Sequence, residues 1–399
     1  MKYLLITFTI LLLIGCNSKE TYVIEKKDGL EIVKNIKRKM DNSKISYKFE
    51  TISTLENRED SEYSINFPTY KMGRNFDLGV DIDEDLNFYL LDFKNYKVVK
   101  IDKEGKLIKS FGREGRGPGE FPFNPVVIDY RDKKVYVLDL SGRLTIFDKD
   151  GKFINFKPLE VKNTRAFYNF FKLKSGGVSV NEMYDGKFGS KDFKLGYGVV
   201  RLDEDLNGKN SEILYLKNHK FDMKNIDPEN FIAGISVFDN NIAVAELSRN
   251  SFEINIDNLE NGKKIKVIKP YSGIARDKEM LQKYEEALVK VEKESNSLFK
   301  FKKPDKLKKS ISFIFHDEKG NLLASTDESI FDLEGHKFSV FDKRGVYRGD
   351  IRVKELNGMN IISCGDYCIA TTSLAANYSE GGFAEPKVIL FKLNLEFKE

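Results

Sequence analysis

The chain has 399 residues, of which 41 % are hydrophobic and 32 % are charged. This length allows one large domain or two or three small ones, and the composition is that of a soluble globular protein rather than a disordered one. The 66 basic and 62 acidic residues are interspersed and leave a formal charge of +4, so the charge gives no reason to expect a nucleic-acid partner. There is no Trp, but 31 Phe and 18 Tyr residues favour strands.

Residues 1–15 have the pattern of an export signal. A short basic start, Met1-Lys2, precedes an apolar run over residues 3–14 that is too short to span a bilayer comfortably. Leu13-Ile14-Gly15-Cys16 resembles a bacterial lipobox, which implies cleavage before Cys16 and attachment of a diacylglyceryl group to its sulfur. An ordinary secretory signal, with Cys16 incidental, is the alternative.

The location predicted from this signal is the cell envelope. We expect the chain to be lipid-anchored through Cys16 and to contact the membrane through that anchor only. Asn17, rather than Asp, follows the cysteine, which favours the outer over the inner membrane and leaves the leaflet open.

Two segments precede the repeating part of the chain. Residues 16–44 are polar and lysine-rich, and we interpret them as a lipidated tether that can include a short ordered element. Ile45 to Leu55 alternates apolar and polar residues and is rich in β-formers, which predicts a strand. One domain is predicted over residues 45–399.

A short pattern, apolar-x-apolar-Asp-x-x-Gly, recurs with variations and predicts the outer hairpin of a repeating unit. The aspartates that open the predicted turns are Asp102, Asp148, Asp203, Asp257 and Asp342, and a degraded copy has Lys392 in that place. The intervals are 46, 55, 54, 85 and 50 residues. About fifty residues is the size of one four-stranded blade. A second turn signal inside each unit predicts an inner hairpin, so the fold is predicted to be all-β: a six-bladed β-propeller of four-stranded antiparallel blades.

The one long interval has a source in the sequence. Residues 272–309 contain a helical pattern with apolar side chains along one face, which Pro304 ends. We predict a helical insertion in blade five. It would serve as a lid or partner-binding element, or be a solvated decoration, and the sequence leaves both open.

Ring closure is needed because six open sheets in one chain would expose unpaired edges. The chain ends in the sixth unit, and the strand at residues 45–55 lies before the first. We predict that this strand pairs onto blade six and closes the ring.

The segment Phe111–Phe121, FGREGRGPGEF, links the first unit to the second and carries four glycines. It resembles the motif of a bacterial family of six-bladed β-propeller lipoproteins related to NHL-repeat propellers. The resemblance extends as blade-like hairpins over about residues 71–399, and the lipobox agrees with it. It implies a propeller fold and an exported location, and it supplies no catalytic residues. The helical insertion and the eroded turn of the sixth unit depart from the family pattern.

Arg113, Arg116 and Glu120 in this segment are the candidate ligand-binding residues, as contacts for an anion or a carbohydrate at the mouth of the channel. A fixed turn between blades, held by internal salt bridges, is the alternative. A phosphate loop is unsupported, because no Gly-Lys-Ser/Thr follows and no helix begins there.

Cys364 and Cys368 flank a predicted hairpin turn, where the flanking residues face each other across the ladder within disulfide reach. Because an exported protein meets oxidising conditions, we predict a structural disulfide. Two small buried thiols are the alternative.

The sequence gives weak support for calcium and none for other cofactors. Asp81, Asp83 and Asp85, with Asp92 later, faintly resemble a calcium loop, but Leu86 stands where a glycine is needed. The three histidines lack ligand spacing, and neither HExxH nor GxSxG occurs. We therefore predict no metal ligands and no catalytic residues.

The function expected from the sequence is a non-catalytic binding module that recognises a ligand, a glycan or an envelope protein through propeller loops and the channel mouth. A metal-dependent hydrolase or lyase, with carboxylates in the channel as in lactonase-like propellers, is an alternative that rests on analogy. A structural subunit of an envelope assembly, docked through the helix, is a third hypothesis.

Overall fold

A computed structural model describes residues 21–37, 40, 42–56, 63, 79–188, 190–227, 234–294, 298, 300–326, 336–364, 366–372 and 387–398. The predicted signal peptide and the lipidation site Cys16 lie outside these residues. Within the described ranges, no helix is both long enough and apolar enough to cross a membrane.

The described part of the chain begins with three strands that belong to later sheets. They are β1 (Tyr22–Lys27), β2 (Leu30–Asn35) and β3 (Ile45–Glu56). A short 3-10 turn, Asn42–Lys44, precedes β3.

Six sheets follow one another along the chain, and in each sheet consecutive strands of the chain pair antiparallel. Blade one is β4 (Val80–Ile82), β5 (Phe88–Asp92), β6 (Lys97–Ile101) and β7 (Leu107–Phe111). Blade two is β8 (Pro125–Arg131), β9 (Lys134–Asp139), β10 (Arg143–Asp148) and β11 (Phe153–Pro158). Blade three is β12 (Thr164–Lys172), β13 (Gly177–Asp185), β14 (Lys194–Leu202) and β15 (Glu212–Lys220).

The second half repeats the arrangement. Blade four contains β16 (Gly234–Phe238), β17 (Asn241–Ala245), β18 (Phe252–Asn258) and β19 (Lys264–Lys269). Helix α1 (Lys278–Glu294) lies in the connection that leads into blade five, inside the predicted insertion. Blade five is β20 (Phe313–His316), β21 (Leu322–Ser325), β22 (His336–Phe341) and β23 (Tyr347–Val353). After a 3-10 turn at Lys354–Leu356, blade six contains β24 (Met359–Cys364), β25 (Cys368–Thr372) and β26 (Lys387–Phe397).

Blade six takes its fourth strand from the start of the chain. β3 pairs antiparallel with β26, from Lys387 opposite Glu56 to Phe397 opposite Ile45. The predicted closing strand is therefore confirmed. The predicted outer turn of this unit is wrong: Lys392 lies within β26, because the chain itself does not turn back to make the fourth strand.

Hydrophobic packing between blade six and blade one also closes the ring. Each of the six hydrophobic clusters is shared by two neighbouring blades. One of them joins Ile369 and Leu390 of blade six, and Leu55 of β3, to Phe88 and Leu90 of blade one. Because apolar burial supplies most of the stabilisation of a fold, each blade depends on both neighbours.

Blade four has six strands rather than four, because a hairpin covers its outer edge. β2 pairs parallel with β19, and β1 pairs antiparallel with β2. The hairpin turn is Asp28-Gly29, with φ angles of 50° and 82°, and Val33 is fully buried against the blade. Residues 22–35, which were predicted to belong to the tether, thus form an ordered hairpin. An Asp-Gly pair between β-forming residues is a strong hairpin signal that could have identified it.

Three of the five predicted aspartate turns share one geometry, whereas Asp203 in blade three accepts a bond from the Asn210 side chain at 3.2 Å instead. The Oδ1 atom of Asp102 accepts the backbone N–H groups of Glu104 and Lys106 at 3.1 and 2.8 Å, and Gly105 has a φ of 87°. The same bonds form at Asp148 and Asp342. In blade four, Asn258 accepts the N–H groups of the turn instead of the predicted Asp257, because the strand continues for one more residue.

The connections divide into two groups by topology. The connections between the first and second strands of a blade, and between its third and fourth strands, are two to nine residues long. They lie at one end of the blades, which we call the turn end. The connections between the second and third strands, and those that lead from one blade to the next, lie at the other end. We call this end the loop end. These connections reach 43 residues, over residues 270–312. Long insertions are therefore confined to the loop end.

Helix α1 is fixed at the loop end of blades three and four. The Arg276 side chain donates to the Asp305 carbonyl at 2.6 Å, and the Phe301 N–H donates to Glu292 Oε1 at 2.8 Å. The Lys300 N–H bonds to the Met223 carbonyl at 2.9 Å, which ties this segment to the connection between blades three and four.

Candidate functional site

The glycine-rich crossing, residues 112–124, carries the chain from blade one to blade two and contains the predicted ligand-binding residues. Glu120 Oε1 accepts bonds from Arg113 Nε at 2.8 Å and Nη2 at 2.7 Å, and its Oε2 accepts the Gly117 N–H at 2.7 Å. The Gly117 N–H and the Arg113 guanidinium hold the pKa of Glu120 below its usual value. The Glu120 carboxylate thus links Arg113, near the start of the crossing, to the backbone at Gly117.

Two glycines are required for this conformation. Gly112 has a φ of 85°, and a Cβ there would lie 2.5 Å from Cε2 of the buried Phe121 ring. Gly115 has a φ of 147°, and a Cβ there would lie 2.2 Å from Glu120 Oε2. The glycines therefore allow the Glu120 carboxylate and the Phe121 ring to pack against the backbone.

Gly112→Ala is expected to lower the free energy of unfolding by about 1–2 kcal/mol, from positive-φ strain and displacement of Phe121. Urea denaturation measures the change. Gly262→Ala is the matched control, since Gly262 has a φ of 69° but open space where its Cβ would be. Equal losses in both variants would show that contact with Phe121 contributes nothing.

The crossing packs on the outer strands of blade two. Arg143, at the start of β10, donates to the carbonyls of Arg116 and Gly117 at 3.1 and 3.0 Å and lies 3.9 Å from the centre of the Phe156 ring. The structure thus brings Arg113 and Glu120 together. Within the described ranges, the Arg116 guanidinium has no hydrogen-bond or ion-pair partner. A ligand-binding role for these three residues stays a prediction.

The first strands of neighbouring blades, which lie innermost, are linked by polar side chains. Asp81 Oδ2 on β4 accepts the Tyr130 N–H of β8 at 2.6 Å. Asp129 Oδ2 on β8 accepts the Lys172 N–H of β12 at 3.1 Å, and Ser236 Oγ on β16 accepts the His316 N–H of β20 at 3.1 Å. In each case a side chain satisfies a backbone donor of the next blade. These bonds reinforce the ring from its inner side.

The carboxyl groups of this inner ring have unusual proton affinities. Burial raises the pKa of Asp81 to about 6. Burial, with the nearby charge of Asp81, raises the pKa of Asp129 to about 8, although Lys172 and Arg131 oppose the shift. The pair can therefore hold a proton at neutral pH. Asp129 was not among the predicted site residues, and the signal for it was a single aspartate in the apolar strand PVVIDY.

The aspartates of the faint calcium motif have separate partners. Asp83 accepts the N–H groups of Asp85 and Asn87 through Oδ1, and its Oδ2 lies 3.0 Å from the buried Lys100 Nζ. Asp81 instead bonds to blade two. Over the residues that the structure describes, no three His, Cys, Asp or Glu side chains gather as metal ligands.

The cysteines lie as the predicted disulfide requires. Cys364 at the end of β24 is directly opposite Cys368 at the start of β25. Cys368 is buried and disulfide-bonded.

An exposed aromatic cluster lies at the loop end of blade three, where β13 and β14 are joined. The Phe193 ring is buried, and the rings of Tyr184, Phe188 and Phe221 surround it at centroid distances of 6.3, 5.3 and 6.2 Å. Phe188 is 65 % exposed and Tyr184 is 38 % exposed. Single exposed apolar residues are common, but a packed aromatic cluster with an exposed tip is typical of an interaction site.

Lysine-rich segments adjoin this cluster. The Phe221 N–H bonds to the Phe193 carbonyl at 3.2 Å, and the Ile226 N–H bonds to the Lys300 carbonyl at 2.9 Å. The described residues of the segments 184–194, 217–227 and 300–309 thus form one surface, which we call the aromatic–lysine surface. It was not predicted from the sequence.

Comparison with known proteins finds only solved structures of low sequence identity. No family model and no curated protein matches the chain. A crystal structure of a Bacteroides fragilis NCTC 9343 protein, described by its name as exported, is 14 % identical with a TM-score of 0.46, and the match covers 93 % of this chain and 100 % of that one. The PQQ-bound aldose sugar dehydrogenase of Streptomyces coelicolor is 11 % identical with a TM-score of 0.44, covering 88 % and 99 %. A streptogramin B lyase is 9 % identical with a TM-score of 0.39, covering 88 % and 98 %. These identities assign no family.

Proposed function

We propose that the chain is a lipid-anchored binding module of the cell envelope that engages its partner at the loop end of the propeller. The observation that supports this proposal is the asymmetry of the connections: the turn end has none longer than nine residues, whereas the loop end has connections of up to 43. Binding residues are concentrated on loops held by a rigid scaffold. The lipobox-like residues before Cys16 support the anchor.

The resemblance of FGREGRGPGEF to bacterial six-bladed propeller lipoproteins agrees with this function. In this chain the crossing holds its own conformation through Glu120, so it can act as a rigid rim beside which a partner binds. The partner would be a ligand, a glycan or an envelope protein. The hydrolase and structural-subunit hypotheses have no specific observation in their favour among the described residues.

Photo-crosslinking in living cells tests the proposal. A photoreactive amino acid at Phe123, which is 51 % exposed in the crossing at the loop end, is expected to capture the partner. The matched control is the same amino acid at Glu104, an exposed position in a turn of blade one at the turn end. Adducts confined to the Glu104 variant, or equal at both positions, would contradict a binding site at the loop end.

A further inference from the structure

The aromatic–lysine surface concentrates positive charge. Its three segments contain twelve lysines and five aspartates, a formal charge of +7, compared with +4 for the whole chain. Adding the neighbouring helix α1, with four lysines and five glutamates, leaves +6. Acidic side chains offset part of this charge, because Lys194 lies 3.8 Å from Asp185 and Lys303 lies 3.6 Å from Glu285. The rest of the chain is therefore slightly acidic, and this surface attracts anions.

The apolar part of the surface projects from it. Phe188 is at the tip of the connection between β13 and β14, between Lys187 and Lys191, which are both exposed. Met223, in the next segment, is 44 % exposed. An apolar tip flanked by lysines is suited to a lipid interface, where the ring enters the acyl boundary and the ammonium groups contact anionic headgroups.

The position of the chain start agrees with a bilayer as the occupant. β1 and β2 lie on the outer edge of blade four, and two of the segments enter or leave that blade. Cys16 precedes Tyr22 by six residues, a span of at most about 20 Å. This step rests on the predicted lipidation of Cys16. Tyr22 lies beside Arg344, in the turn between β22 and β23. With that anchor, the bilayer surface lies within this distance of the outer edge of blades four and five.

We propose that the aromatic–lysine surface docks on an anionic lipid bilayer, with Phe188 inserted at the headgroup boundary. This goes beyond the proposed function, and it adds a second membrane contact to the lipid anchor predicted from the sequence. Docking would fix the orientation of the propeller relative to the membrane.

A single fluorophore can test the proposal, because the chain contains no tryptophan. The lipidated full chain with Phe188→Trp is bound through its anchor to phosphatidylcholine vesicles with and without phosphatidylglycerol. We expect a blue shift of the emission with phosphatidylglycerol, and quenching by brominated lipid about twofold or more above the control. The control is Ile108→Trp, 50 % exposed on β7 of blade one, opposite blade four in the ring.

Charge is tested by replacing Lys187 and Lys191 with glutamine in the Phe188→Trp chain. The equilibrium constant for docking is expected to fall about tenfold. In the chain that keeps both lysines, the blue shift is expected to decrease at high salt. Equal quenching of the two tryptophans, or a shift that is the same without anionic lipid, would overturn the proposal. A blue shift with a soluble anionic polysaccharide but none with vesicles would assign the surface to a glycan instead. None of these outcomes depends on the partner that Phe123 is expected to capture.

Discussion

Leu55→Ala is expected to lower the free energy of unfolding by about 2–4 kcal/mol, because it leaves a cavity where the ring closes. Leu55 is 2 % exposed, and it packs with residues of blades six and one. The side chain belongs to β3, which reaches blade six from the other end of the chain. Its loss weakens the contact of the closing strand with both neighbouring blades.

Urea denaturation of the purified protein measures this change. Thr54→Ala is the matched control, because Thr54 is exposed on the same strand and its loss is expected to cost less than about 0.5 kcal/mol. If Leu55→Ala cost no more than Thr54→Ala, β3 would contribute little to closure. A broadened transition in the variant would indicate that the blades no longer unfold together.

Asp129→Asn is expected to stabilise the protein at alkaline pH by about 2 kcal/mol and to change it little at pH 4. The pKa of Asp129 is raised to about 8 in the folded protein. A raised pKa means that folding favours the protonated carboxyl group. The stability from this group is complete below the pKa of the unfolded chain, near 3.8, and is lost as pH rises through about 8. Asparagine keeps the acceptor for the Lys172 N–H and cannot ionise.

Thermal unfolding between pH 4 and pH 9 tests this prediction. The parent protein is expected to lose stability across that range, and the slope should be shallower in the variant. Asp85→Asn is a control for the loss of one negative charge at an exposed site. Parallel pH profiles of the parent and Asp129→Asn would show that this carboxyl group ionises freely in the channel.

The sequence repeat made most of the fold predictable, because the turns between strands are encoded by a few neighbouring residues. In blades one, two and five, the aspartate of the outer turn accepts N–H groups within four residues, so the turn geometry is encoded in a few neighbouring positions. The pairing of β3 with β26 was also predictable, since an unpaired strand and an incomplete blade remained at the two ends of the pattern.

Features that depend on distant parts of the chain were not predictable in the same way. The parallel pairing of β2 with β19 depends on a free edge of blade four, about 230 residues later. The proton affinity of Asp129 depends on burial between three blades and on its distance from Asp81. The aromatic–lysine surface combines three segments that lie far apart in sequence and adjoin only through the connections of blades three and four.

The pairing of Ile45 with Phe397 also determines when folding can finish. During synthesis, β3 emerges hundreds of residues before its partner β26. Contacts of such long sequence separation form slowly, and until then β3 and the edge of the last blade remain open to strands of other molecules. A chain that stops before β26 leaves β3 without a partner, so truncated products are expected to swap strands, aggregate or be degraded. The ring therefore cannot close until β26 has been made.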